Sequence, residues 1–210
     1  MRQLAEEIKK NLSDLGINAI ISGTEASPNQ NTSISNDESV SLHVVLASMK
    51  PSKEDDRGIK IYFSSTDAQS RAFANVISQN LKKIYPLPDS VITEANGTFV
   101  ELINTKSPAV VISIGNPNNE EDEKWITENL GDIAGNIALS IGEVLGFQSE
   151  TIPTTALGLA DGPMGFATVR KSPSPTAKII TRIINGSPVR IIGKIGNWYA
   201  VLASNIEGYV

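Results

Sequence analysis

The sequence predicts an α/β fold, with a mostly parallel sheet flanked by helices, followed by a small all-β barrel at the carboxyl terminus. In residues 1–147, apolar stripes at helical spacing alternate with short apolar runs of strand length, which is typical of strands joined by crossover helices. In residues 165–210, short apolar runs recur between Gly, Pro and Asn turns, which is typical of an antiparallel barrel. Residues 148–164 have turn composition without a sustained period, and we interpret them as a linker.

Three apolar stripes predict the helices of the first segment, and Gly16 and Gly146 are suitable residues to end the first and the last of them. The second helix must end before Pro86. The stripes are Leu4, Ile8, Leu12 and Leu15; Phe73, Ile77, Leu81 and Ile84; and Ile133, Ile137, Ile141 and Val144. Strands are predicted at 17–21, 40–47, 58–63 and 109–114, and a polar loop at 22–39. In the second segment strands are predicted at 166–170, 178–183, 189–194 and 198–202.

The composition excludes several classes of function. With 40% hydrophobic and 20% charged residues the chain has enough apolar content for a core. A net charge of -5 without a basic cluster argues against general nucleic-acid binding, and no apolar run is long enough to span a membrane. The chain has no cysteine, which excludes disulfides and thiolate chemistry, and only one histidine, His43. Residues 1–16 lack a signal-peptide pattern, so an export signal would lie outside the numbered chain.

The stretch Pro108-Ala-Val-Val-Ile-Ser-Ile-Gly-Asn-Pro-Asn-Asn-Glu-Glu-Asp122 resembles the closing motif of zinc-dependent N-acetylmuramoyl-L-alanine amidases. In that family the strand ends in a catalytic glutamate, and the resemblance places Ser113 at this position. Residues 4–21, 40–44 and 57–62 are similar, in order, to the family's first helix and second strand, its Ser-Ile-His motif and the strand that follows. The resemblance implies that His43 occupies a zinc-ligand position.

The same resemblance implies that the catalytic machinery is degenerate. The family's Asp-Pro-Gly-His-Gly-Gly motif and its glutamate ligand would precede or coincide with Met1, so two of three zinc ligands are missing from this numbering. Catalytic zinc needs three protein ligands and a water. The hydroxyl of Ser113 is neutral at pH 7 and cannot transfer protons as a carboxylate does.

The second segment resembles the bacterial SH3 domains that are attached to cell-wall hydrolases. Thr168-Val-Arg-Lys-Ser-Pro-Ser-Pro175 looks like the family's Asn-Val-Arg-Ser-Gly-Pro-Ser motif, and later landmarks follow at 184–189, 196–201 and 207–210. The segment ends at Val210, where a closing strand would still be expected. The resemblance implies recognition of wall peptides, and the aromatic and basic candidates for this contact are Tyr199, Tyr209, Trp198 and Arg170. Of these, we expect Trp198 in the barrel core, because strand alternation would then turn Tyr199 outward.

Other interpretations of the same residues stay open. His43 is either a remaining ligand or an ordinary strand histidine, and the run Glu120–Glu123 is either a cation site or an acidic first helical turn, the second being favoured in both cases. Ser113 and His43 could belong to a Ser-His-Asp arrangement, although no Gly-x-Ser-x-Gly elbow surrounds the serine.

We predict a non-catalytic, extracellular protein that associates with the cell wall and binds peptidoglycan or wall peptides without a cofactor. The alternatives are a zinc amidase whose remaining metal ligands lie upstream, and a regulatory partner of a wall hydrolase. No nucleic acid and no membrane span are expected.

Overall fold

The computed structural model describes residues 1–23, 25–48, 56–146 and 156–210, which form six α-helices and ten β-strands. The helices are α1 (Arg2–Asp14), α2 (Pro28–Asp37), α3 (Ala68–Lys82), α4 (Val100–Asn104), α5 (Glu120–Glu128) and α6 (Leu130–Val144). The strands are β1 (His43–Ala47), β2 (Ile59–Phe63), β3 (Val91–Ala95), β4 (Ala109–Ile114), β5 (Leu157–Leu159), β6 (Phe166–Arg170), β7 (Ile179–Ile184), β8 (Pro188–Ile195), β9 (Trp198–Ala203) and β10 (Ile206–Tyr209).

The described chain divides into two compact units. The first contains Met1–Glu6 and Ile20–Glu128, and the second contains Glu7–Ala19 and Asn129–Val210. The second unit therefore includes α6, which the sequence analysis assigned to the first segment. None of the described helices combines the length and the apolar character needed to cross a membrane.

The first unit is built on a four-stranded sheet in the order β1-β4-β2-β3. The pairs β1/β4 and β2/β3 are parallel and the pair β2/β4 is antiparallel, so the predicted mostly parallel sheet is confirmed. Every residue of β4 is buried. This agrees with the continuous apolar run of the strand, because a central strand covered on both faces needs no polar alternation.

Two of the predictions for the first segment are wrong. Residues 17–21 form no strand, and Ile20 is 53% exposed, because this apolar run has no neighbouring strand to pair with. The predicted loop at 22–39 contains α2, which begins with Pro28 and is capped by the reciprocal hydrogen bonds of Ser27 and Gln30. By contrast Gly16, at a φ of 77°, ends the α1 region as expected.

The second unit contains an antiparallel six-stranded sheet in the order β5-β8-β9-β10-β6-β7, which confirms the predicted all-β carboxyl-terminal segment. Val169, Val189 and Val201 form its buried core. The predicted linker is partly wrong: residues 148–155 lie outside the described residues, but β5 falls within it and pairs with β8. A Cβ added at Gly158 would be only 3.1 Å from the Cδ1 atom of Ile191, which packs against this core, so strand β5 lies close to it.

Candidate functional site

Ser113 is the fifth of the six residues of β4 and is only 4% exposed. It lies between Lys60 of β2 on one side and Ala47 of β1 on the other. Pairing on both sides fixes the position of Ser113 in the sheet, and its side chain is a hydroxyl. A buried hydroxyl can donate and accept a hydrogen bond, but it cannot hold the negative charge of a general base near neutral pH.

The structure does not bring His43 and Ser113 together. His43 begins β1 and is level with Ala109, whereas Ser113 is level with Ala47 at the opposite end of the same parallel pair. Four residues along a strand correspond to about 13 Å, far more than the roughly 3 Å that a nucleophile and its base require. The Ser-His-Asp arrangement considered for these two residues is therefore contradicted by the register of β1 and β4.

His43 has the surroundings of a strand histidine. Its backbone N–H donates to the Pro108 carbonyl oxygen at 2.9 Å, and its buried Nε2 atom has no hydrogen-bond partner among the described residues. Burial lowers the pKa of His43 below its ordinary value of 6.5, and the nearby charge of Glu101 partly offsets this effect. Burial thus favours the neutral imidazole.

The described residues do not fit a catalytic zinc ion. Across the ranges 1–23, 25–48, 56–146 and 156–210, no three His, Cys, Asp or Glu side chains lie close enough together to hold a metal. A single imidazole cannot supply the three ligands of a catalytic zinc centre. The assignment of His43 to a former ligand position stays a prediction.

Asp122 is fully buried and accepts hydrogen bonds from four donors among the described residues. One carboxylate oxygen accepts from Arg57 Nε at 3.0 Å and from the Tyr85 hydroxyl at 2.5 Å. The other accepts from the backbone N–H groups of Asn116 at 2.9 Å and Gly58 at 3.3 Å. These bonds join the start of β2, the end of α3 and the turn after β4.

The contacts of Asp122 favour an acidic first helical turn over a cation site for the run Glu120–Glu123. Four donors occupy the acceptor positions of the Asp122 carboxylate, so it has none left for a cation. The other three acidic residues lie in the first turn of α5, where the helix dipole favours negative charge. Burial, together with the hydrogen bond to Asp122, raises the pKa of Tyr85. No local sequence pattern links Arg57 to a carboxylate 65 positions away, so this cluster is not predictable from the sequence alone.

In the barrel, the four candidate contact residues lie on two different faces. Tyr209 pairs with Arg170 and with Ala200, and Trp198 has the same alternation as Ala200, so Arg170, Tyr209 and Trp198 share one face. Trp198 is half-buried and lies on the face of β9 opposite to the core residue Val201. Trp198 therefore does not belong to the core cluster of Val169, Val189 and Val201, and its role in packing or in ligand contact stays a prediction.

Tyr199 has the alternation of Val201 but lies at the end of the strand, where it is 40% exposed. The Nζ atom of Lys194 lies 5.8 Å from the centre of the Tyr199 ring, which is within cation–π range. Tyr199 thus offers an exposed aromatic ring beside the partly buried Lys194.

Comparison with known proteins agrees with this architecture. The N-acetylmuramoyl-L-alanine amidase family matches residues 1–143, and the bacterial SH3 domain family matches residues 165–210. No curated protein matches the sequence of the chain.

Several solved amidase structures are similar in fold. An N-acetylmuramoyl-L-alanine amidase from Clostridium difficile 630 has a TM-score of 0.61 and 17% identity, over 69% of this chain and 81% of that one. Ami1 from Mycobacterium smegmatis has a TM-score of 0.59 and 19% identity, over 70% and 76% of the two chains. The CwlD amidase from Clostridioides difficile, solved in complex with the GerS lipoprotein, has a TM-score of 0.60 and 14% identity, over 69% and 84%.

These identities are low, and the structural likeness by itself establishes the fold. The family match covers more than half of the chain, in the order amidase domain and then bacterial SH3 domain. The chain belongs to the N-acetylmuramoyl-L-alanine amidase family and carries a bacterial SH3 domain at its carboxyl terminus.

Proposed function

We propose that this chain is a non-catalytic peptidoglycan-binding protein that acts outside the cell, in which the amidase fold is retained as a scaffold and the SH3 barrel recognises the wall. The observation that carries this proposal is Ser113. The resemblance to the family assigns a catalytic carboxylate to this position, and the chain places a buried hydroxyl there.

The chemistry of amide hydrolysis supports the proposal. Cleavage of the bond between the lactyl group of muramic acid and L-alanine needs an activated water and a group that protonates the leaving amine. Zinc in a three-ligand site activates water in amidases of this kind, and a carboxylate transfers the proton. The described residues offer no such ligand set, and Ser113 cannot replace the carboxylate.

Retention of the fold is consistent with a binding role. The first unit keeps a fully buried central strand and the Asp122 cluster that joins three of its segments. Those features stabilise a scaffold whether or not it is catalytic. The barrel supplies the exposed ring of Tyr199 with the partly buried Lys194 beside it, an aromatic ring and a cation that suit a peptide bearing carboxylates.

The experiment is a digestion assay on purified, insoluble peptidoglycan with added zinc, and a wall amidase of known activity serves as the positive control. We expect no new L-alanine amino termini above the no-enzyme level, while the control releases them. Zinc-dependent release of such amino termini by this chain, abolished by a chelator, would contradict the proposal and favour the active amidase.

A further inference from the structure

The loop that joins β6 to β7, residues 171–177, is largely closed to solvent. Its first part belongs to the stretch Thr168–Pro175, which resembles the bacterial SH3 motif. Ser172 is 1% exposed, Ser174 is fully buried, and Pro173 between them is also buried. Polar residues of a loop are rarely buried unless another element covers them and supplies hydrogen bonds.

The covering element is the first half of α6, which belongs to the same compact unit as the barrel. A Cβ atom added at Gly135 would lie 3.2 Å from the Ser174 Cβ atom and 2.9 Å from the Ser172 hydroxyl oxygen. At Gly131 it would lie 2.5 Å from the Thr176 carbonyl oxygen. Gly131 and Gly135 are four residues apart and share one helix face, so the loop lies directly against the helix backbone.

Hydrogen bonds to acidic side chains hold the loop in this place. Asp132 is 1% exposed, and one of its oxygens accepts from the Ser172 hydroxyl at 3.2 Å and from the Lys178 backbone N–H at 3.1 Å. Glu7 accepts from the Thr176 hydroxyl at 3.1 Å. Hydrogen bonds to a carboxylate are stronger than neutral ones, and a buried carboxylate without such donors would be costly.

We propose that the 171–177 loop is a docking element for the chain's own helix α6, and that the barrel contacts its ligand through other surfaces. The docking of the loop on α6 does not depend on what the protein binds. The inference that the ligand contacts other surfaces rests on the proposed wall-binding function. The chain's own helix fills the place where a wall peptide would otherwise approach this loop.

A disulfide test measures the docking directly, because the chain has no native cysteine. The two Cβ positions of Gly135→Cys and Ser174→Cys would lie 3.2 Å apart, and a shift of a few tenths of an ångström reaches the roughly 3.5–4.5 Å of a disulfide. We expect the double variant to form an intramolecular bridge when a mild added disulfide oxidant takes up the two protons and two electrons of the thiols, seen as the loss of two hydrogen atoms in the mass. Each single variant is the control and should keep a free thiol. A folded double variant that retains two free thiols would overturn the docking.

Hydrogen exchange provides a second test that needs no cysteine. In the Asp132→Ala variant of the full chain, the loop and the Lys178 amide should lose protection by about tenfold or more, and Asp132→Asn, which keeps one acceptor oxygen, should lose less. Glu123→Ala, an exposed acidic residue of α5, is the matched control and should leave the loop unchanged. Unchanged protection of the loop in Asp132→Ala would overturn the role of Asp132.

The disulfide between residues 135 and 174 also tests separately whether the loop docks on α6 and whether the loop contacts the wall. If the oxidised double variant binds peptidoglycan within about twofold of its reduced form, the loop is not a wall contact, as proposed. If oxidation abolishes binding that the reduced form shows, the inference that the ligand contacts other surfaces fails. If neither form binds, nor the parent chain, the proposed function fails while the docking is decided by the disulfide itself.

Discussion

At the scale of single residues, Asp122 links several segments of the first unit through four hydrogen bonds. Its neighbour Glu121 also pairs with Arg57, but the Glu121 side chain is 73% exposed whereas that of Asp122 is fully buried. The two carboxylates therefore share a partner and differ in burial, which makes them a matched pair for mutation.

We expect Asp122→Ala to lower the free energy of unfolding by about 3 kcal/mol or more, because it leaves the Tyr85 hydroxyl and two backbone N–H groups without their acceptor and removes one of the two carboxylate partners of Arg57. Glu121→Ala should change it by about 1 kcal/mol or less, because exposed ion pairs contribute little. Urea unfolding followed by circular dichroism measures both. Equal effects of the two substitutions would contradict this interpretation of the cluster.

The titration of His43 is a second prediction at this scale. Since burial lowers its pKa, the unfolded chain binds the proton more readily, and stability falls as pH drops from 6.5 towards the folded-state pKa. As the chain has one histidine, a single imidazole resonance in an NMR titration reports it. We expect a midpoint below 6.5 and no displacement of the resonance by zinc. A midpoint above 6.5 would show that a partner stabilises the protonated imidazole. Saturable broadening by zinc would show that the imidazole binds the metal.

Tyr199 is the residue on which the proposed wall contact depends most directly. Replacing it by alanine removes the exposed ring and its contact with Lys194, and we expect peptidoglycan binding to fall several-fold, since stacking and cation–π contacts contribute about 1 kcal/mol. Ile206→Ala is the control, because Ile206 is 39% exposed on the same domain but offers no ring. Co-sedimentation of both variants tests this, and undiminished binding by Tyr199→Ala would assign recognition to other residues.

At the scale of elements, α2 shows the value of a capping signal. The helix has few apolar residues and only Thr32 and Ser35 buried, so its start depends on Ser27, Pro28 and Gln30. Ser27→Ala should lower the free energy of unfolding by about 1 kcal/mol, whereas Ser33→Ala, within the exposed face of the same helix, should be neutral or slightly stabilising. Urea midpoints compare the two, and an equal loss for both would mean that the cap is unimportant.

The sequence predicts the elements whose apolar residues recur at a regular spacing. It does not predict the strands that form only because a distant strand is available for pairing. Helix α1 and strand β4 follow from their apolar spacing, and Gly16 from its place after a helical stripe. The run at 17–21 has strand composition but no partner strand, which no local pattern reveals. Conversely β5 forms because β8 is available beside it, although Leu157-Gly-Leu159 alone has turn-like surroundings.

The candidate site shows the same division. The apolar run at 109–114 predicted a strand covered on both faces, and Ser113 is buried in that strand. The separation of His43 from Ser113 required the register of β1 against β4. The Asp122 cluster and the contact of Asp132 with the 171–177 loop join residues 65 and 40 positions apart, and they depend on tertiary folding.

At the scale of the whole molecule, charge is distributed unevenly along the chain. Residues 156–210 contain six basic and two acidic side chains, although the complete chain has a net charge of -5. The excess of basic side chains in this segment suits a surface that carries carboxylates, and salt should weaken such binding. Binding that is unaffected by salt would indicate a mainly apolar contact.

The central claim is that the protein binds peptidoglycan without cleaving it. The most direct measurement is co-sedimentation of the chain with purified insoluble peptidoglycan at moderate salt, with the supernatant analysed for released peptides in the presence of zinc. We expect the chain in the pellet and no released peptides in the supernatant. A chain that stays in the supernatant contradicts binding, and wall peptides released in proportion to the chain contradict the absence of catalysis.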